Sequence, residues 1–137
     1  MSLFNVFTLA GGALSAQNVR LNTTASNLAN ADTVAASEAE SYRGRSPHFR
    51  SVLQRLADGS ELNGVEVAGI VENGAAPERQ YLPEHPLADE DGYVWGSNVD
   101  PVEEMANMIS TSRSYQNNVE VMNTAKQLLL RTLSLGQ

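Results

Sequence analysis

Asp89-Glu90-Asp91-Gly92 is the stretch of this chain whose residue types come nearest to a recognisable chemistry, since spaced carboxylates before a glycine are how a calcium-binding loop begins. Such a loop needs a further oxygen ligand ahead of the glycine and a glutamate six residues beyond it, and position 98 is Asn98. The ligand set is incomplete, and a tight acidic turn is predicted instead. His48 and His85, the only histidines, have no partner at metal-ligand spacing. Glu103 and Glu104 form an adjacent carboxylate pair, but neighbouring residues on a helix point in different directions. The chain has no cysteine, which removes thiolate catalysis, disulfides and cysteine-based metal sites together. No enzyme, cofactor or metal site is predicted. An acidic hydrolase working through Asp89 or Asp91 lacks the partner residues that acid/base work requires.

Two long amphipathic patterns occupy the ends of the chain. Phe4, Phe7, Gly11, Leu14, Asn18, Leu21, Ala25 and Leu28 recur at alternating steps of three and four, which predicts a first helix ending near Asn30–Thr33. Gly11-Gly12 costs about 1 kcal/mol per glycine in a helix interior, so the first turns are expected to fray. Met105, Met108, Ser112, Tyr115, Val119, Met122, Lys126, Leu129 and Leu133 repeat the rhythm at the other end. Asp100 reads as the cap of that helix, Pro101 as its first residue, Glu103 as the reciprocal acid of a capping box and Gly136 as its stop. Lys126 on the seam reads either as a snorkelling side chain or as a register-setting one.

Between the helices the period shortens. Gly64–Glu72 and Tyr93–Trp95 are β-branched and aromatic, with turn signals at Asp58-Gly59, Asn63-Gly64, Asn73-Gly74 and Asp91-Gly92. Ser46–Leu53 adds a further strand, and Pro77, Pro83 and Pro86 confine residues 75–88 to extended edges and loops. The expected fold is α+β: long N- and C-terminal helices paired as a coiled coil around a small β-rich middle, divided as 1–31, 32–98 and 99–137.

Charge is distributed in a way that speaks to partners. The net −7 is concentrated in the middle, and only Arg20, Arg113, Glu120, Lys126 and Arg131 are charged in residues 1–31 and 105–137. An acidic middle argues against a nucleic-acid partner, because phosphate contacts need clustered Lys and Arg. No stretch approaches the roughly 18 apolar residues of a membrane-spanning helix, so a membrane-embedded chain is not expected. The non-seam helix positions are amides and hydroxyls, such as Asn22, Thr23, Ser110, Gln116, Asn117 and Asn123. These groups lose their water at much lower cost than full charges, which suits them to packing on several sides. Val121, Ala125, Leu128, Thr132 and Leu135 make a second line that leaves the end of the helix apolar on most sides. A discrete coiled-coil adaptor forming a closed oligomer and an open structural polymer both satisfy this pattern.

Ala13–Gln17 followed by Ala25-Ser-Asn-Leu-Ala-Asn-Ala-Asp-Thr33 resembles the N-terminal signature of flagellar rod, hook and hook-associated proteins. Tyr42-Arg-Gly-Arg45, His85–Val94 and Asn98–Asn118 are similar to the proximal-rod, FlgC-type family of basal-body rod proteins. In the Asn-Leu-Ala-Asn turn, Asn27 and Asn30 are of a type that satisfies freed backbone groups and tolerates left-handed dihedrals. The resemblance implies export through the flagellar type III apparatus without signal cleavage, and polymerisation into a rod that crosses the periplasm and transmits torque. It implies as partners other rod subunits, copies of the chain and the MS-ring junction protein. The expected interface residues are Leu14, Leu21, Leu28, Asn27, Asn30, Met105, Met108, Tyr115, Val119, Met122, Leu129 and Leu133.

Overall fold

The computed structural model describes residues 3–55 and 61–135. Helix α1 spans Leu3–Ala29 and helix α2 spans Pro101–Leu135. Between them lie β1 (Val34–Ala35), β2 (Arg45–Arg55), β3 (Glu61–Glu72), β4 (Arg79–Tyr81) and β5 (Tyr93–Gly96). The architecture is α+β, with two helices and a small β middle.

Helix α1 runs unbroken through Gly11-Gly12, contrary to the expected fraying. Packing supports it: a Cβ at Gly12 would lie 3.5 Å from the carbonyl oxygen of Val65, an ordinary contact distance, so β3 lies directly against this turn of the helix. The two helices pack along each other. Val6 lines one groove with Ala125 and Leu128, while Asn27 lines another with Glu104 and Asn107, so the helices run antiparallel. At 1.5 Å per residue α1 is about 40 Å long and α2 about 52 Å, so the C-terminal turns of α2 project beyond α1.

The start of α2 has the cap and the first residue that its sequence suggests, but among the described residues the Glu103 side chain makes no reciprocal hydrogen bond to the Asp100 amide. Asp100 Oδ1 accepts the Val102 and Glu103 amides at 2.8 and 3.3 Å, and the Glu104 amide donates to the Asp100 carbonyl at 3.0 Å. The expected stop at Gly136 lies outside the described residues.

Strands β2 and β3 form a long antiparallel hairpin with a bulge between His48 and Phe49, laid against α1. Asn63-Gly64 is not a turn; Gly64 pairs with Val52 inside the ladder, because the pairing of the two strands overrides the local turn signal. The expected Asp58-Gly59 turn falls outside the described residues. Three cross-strand ion pairs lace the hairpin: Arg45–Glu72, Arg50–Glu66 and Arg55–Glu61. The second sheet has order β1-β5-β4, with Val34 opposite Gly96 and Tyr81 opposite Tyr93.

The interior is thin. Ala10, Ala16, Leu62, Val94 and Ala125 are its buried apolar residues, alongside buried Asn5, Thr23, Thr24, Asn27, Ser41, Ser97 and Thr111. On the helices, Thr23 and Thr111 donate their hydroxyls to the Val19 and Asn107 carbonyls of the preceding turn, at 2.9 and 2.7 Å. Back-bonded in this way, they are buried without an unpaired donor, and the small side chains let the helices approach closely.

Candidate assembly surface

Asn27 joins the helix to the hairpin. Its side chain is 2% exposed, and its carboxamide pairs with Arg45 as one peptide group pairs with another. The Arg45 amide donates to Oδ1 at 2.9 Å and Nδ2 donates to the Arg45 carbonyl at 2.7 Å. Oδ1 also accepts the Tyr42 hydroxyl at 3.0 Å. Asn30 Nδ2 donates to the Ser26 carbonyl at 2.8 Å, a second bond beside the one that this carbonyl accepts from the Asn30 backbone amide at 3.2 Å in the last turn. The expected left-handed dihedrals are absent: among the described residues no non-glycine has a positive φ. The first asparagine is there to seat a strand and the second to close a helix.

Asn98 continues the junction. Its Oδ1 accepts the Gly44 amide at 2.7 Å, and Nδ2 donates to the Ala75 carbonyl at 2.8 Å. The Gly44 carbonyl accepts the Asn73 amide at 2.6 Å, and Ser97 donates its hydroxyl to the Ala31 carbonyl at 2.6 Å. The end of α1, the base of the hairpin and the entry to α2 are therefore held by polar contacts at one locus, which fixes how the β part stands on the helices.

The acidic turn is built for shape. Asp89 Oδ1 accepts the Tyr93 and Asp91 amides at 2.8 and 3.1 Å, and Oδ2 contacts the Arg79 guanidinium at 2.7 Å. These bonds, the Tyr93 amide first and the positive charge of Arg79 with it, hold the Asp89 carboxyl below the ordinary aspartate range. Arg79 also lies over the Tyr93 and Trp95 rings, 4.6 and 5.3 Å from their centroids. Gly92 closes the turn with φ +81°. Among the described residues no group of three His, Cys, Asp or Glu is placed to hold a metal ion.

What remains is surface, and much of it is apolar. Met105 and Leu133 are exposed, while Leu14, Leu21, Leu28, Met108, Tyr115, Val119, Met122 and Leu129 are half-buried. Within the chain, the buried residues of α2 are Thr111 and Ala125, one position before the Ser112 and Lys126 of the expected seam. Lys126 is accordingly exposed and lies off the face turned to α1. Val102 and Ile109, 70% and 57% exposed, extend the apolar outer face, and the expected interface residues did not include them. Their spacing of three and four around Met105 was the available signal.

Two family models match the chain: one for flagella basal body rod proteins over residues 7–36, the other for the C-terminal part of flagellar basal body rod FlgEFG proteins over residues 90–135. The FlgC flagellar basal-body rod protein of Yersinia enterocolitica is 51% identical, with both chains covered in full. The chain belongs to the FlgC family. The FlgC proteins of Escherichia coli O157:H7 and Bacillus subtilis are 50% and 35% identical, again over the whole of each chain. As a FlgC-type proximal-rod protein it is a structural component of the flagellar basal body and not an enzyme. Among the described residues no helix is long and apolar enough to cross a membrane.

Proposed function

We propose that the chain is a polymerising subunit of the proximal rod, whose terminal helices associate as a coiled-coil layer with neighbouring subunits and carry torque across the periplasm. The observation that supports this most directly is its surface. A compact monomer of 14.8 kDa exposes about 7000 Å². This chain exposes 9194 Å². The excess is equivalent to more than two standard protein contacts, which cover about 800 Å² on each partner. An isolated molecule has no use for an exposed Leu130, Leu133 and Leu135 at the end of one helix; a subunit enclosed by neighbours does.

In this reading the chain has three parts, 1–31 and 99–137 forming the inner helical layer and 32–98 standing outside it. Neighbours are copies of itself, other rod subunits and the MS-ring junction protein. The chain reaches the rod through the type III export apparatus without signal cleavage. Torque transmission suits the arrangement, because load is shared over many helix contacts while the polar junction at Asn27 and Asn98 keeps the outer part in register.

The test is Val119→Asp or Leu129→Asp, each placing a charge on a half-buried position of α2. Either change is expected to abolish motility and rod assembly while Trp95 fluorescence shows the β part still folded. A motile strain carrying either substitution would overturn the proposal.

A further inference from the structure

Two apolar features at the same end of the molecule match each other in size, spacing and charge. The first is a groove. Val6, Leu9 and Ala13 of α1, Phe49 and Val65 of the hairpin and Val121 of α2 surround an open space of about 570 Å³. It runs on into a second space of about 470 Å³ between Val6, Val121 and Leu128, with Glu120 on its wall. The second is a ridge. Leu130 and Leu133 are 56% and 61% exposed, with exposed Lys126 one turn before them on the same face.

At 100° per residue, Leu130 stands about 200° round α2 from Leu128, so ridge and groove lie on opposite sides of one helix. Opposite faces that fit each other give a head-to-tail contact, which builds a ring where the rotation between copies closes and an open helix where it does not. The axial spacing also agrees. If a parallel neighbour is displaced by five to six residues, about 8 Å, its Leu130 lies between Val121 and Leu128. The same displacement brings its Lys126 level with Glu120. Among the described residues neither Lys126 nor Glu120 has an ion-pair partner within the chain. Beyond the first turn of α2, Glu120 is the helix's only acidic residue.

The geometry points to lateral docking between two copies of this chain, in which the Leu130–Leu133 ridge of one fills the groove between Val121, Leu128 and Val6 of the next, with Lys126 beside Glu120. This rests on the rod-subunit reading, in which copies are already neighbours, and adds to it the face and the stagger by which they meet.

The absence of cysteine makes the contact readable. Leu130→Cys and Val121→Cys in one chain are about 13 Å apart along α2, too far for a disulfide within a copy. Isolated basal bodies carrying both are expected to give, on oxidation, a ladder of multimers of this chain that neither single variant gives. Glu120→Lys and Lys126→Glu alone are each expected to lower incorporation several-fold, and together to restore it. Basal bodies that contain the double-cysteine chain but yield only monomer, or a band joining it to a different subunit, would overturn the docking and leave the rod-subunit reading standing. A ladder from Leu130→Cys alone would also overturn it, since ridge would then face ridge. Should the cysteine variants fail to incorporate, the charge exchange decides, and failure of the double reversal to recover counts against the contact. A strain that lacks the chain yet builds complete rods would instead remove the reading beneath it.

Discussion

Replacing Asn27 by alanine is the most informative single perturbation of this fold. The side chain is buried and makes three hydrogen bonds, two of them to the backbone of Arg45 at 2.7 and 2.9 Å. Alanine leaves an amide and a carbonyl facing a small void, and each unpaired buried group costs about 1–3 kcal/mol. Some of that is recovered where water reaches the rim of the junction, so a loss of about 2–4 kcal/mol is expected. Tyr42→Phe removes the bond to Oδ1 together with the 3.2 Å contact between the Tyr42 and Ser26 hydroxyls, and should cost about 1–2 kcal/mol. The double variant should lose less than the sum, since both changes delete the same contact. Urea unfolding of the full chain followed by Trp95 fluorescence measures these values, provided the m-value is unchanged. Hydrogen exchange at the Arg45 amide localises the effect, because Asn27 supplies the bond from Oδ1. A destabilisation below about 0.5 kcal/mol, the range of an ordinary surface substitution, would refute the claim that this side chain seats the hairpin.

Three further outcomes follow from particular contacts. Gly92→Ala combines a φ of +81° with a Cβ lying 3.0 Å from the Tyr81 ring and 3.1 Å from Pro83. It should destabilise the β4–β5 hairpin by about 1–3 kcal/mol, read as a lowered Tm by near-ultraviolet circular dichroism. Asp89 has its carboxyl pKa lowered in the folded chain, so its contribution to the turn is complete above the unfolded value of about 3.9 and is lost as pH falls through the lower folded value. Trp95 fluorescence should therefore report loosening of the turn in acid, and Asp89→Asn should flatten that dependence. Ser97→Ala, which removes the 2.6 Å bond to the Ala31 carbonyl, should cost about 1 kcal/mol in urea unfolding without disturbing the hairpin ladder.

The parts of the fold that were legible in the sequence are those fixed locally. Asp100-Pro101 declares the start of α2 because cap and first-turn preferences act within four residues. The strands at Tyr93–Trp95 and Ser46–Leu53 show in their β-branched and aromatic content. What escaped depended on distant partners. β1 is a two-residue strand defined by its pairing with β5, far along the chain. Asn63-Gly64 carries a strong turn signal, yet its place in the β2–β3 ladder decides its conformation. On α2, a search for large apolar residues selects Met105, Val119 and Leu133. The buried positions are instead Thr111 and Ala125, because small side chains allow a closer approach to α1. Asn27 was legible as important but not in its role, since nothing in Asn-Leu-Ala-Asn indicates a strand eighteen residues away.

Among the described residues all five ion pairs belong to the β part and its loops, and the two helices contribute none. Coulombic attraction between exposed charges weakens as dissolved electrolyte rises, with a screening length of about 10 Å at 0.1 M falling to about 3 Å at 1 M. Contacts made by leucines, alanines and self-satisfied hydroxyls are spared that loss. The packing of the two helices within the chain is therefore expected to hold from dilute solution to brine, while the charge-laced β part, and the Lys126–Glu120 contact proposed between copies, respond to the change.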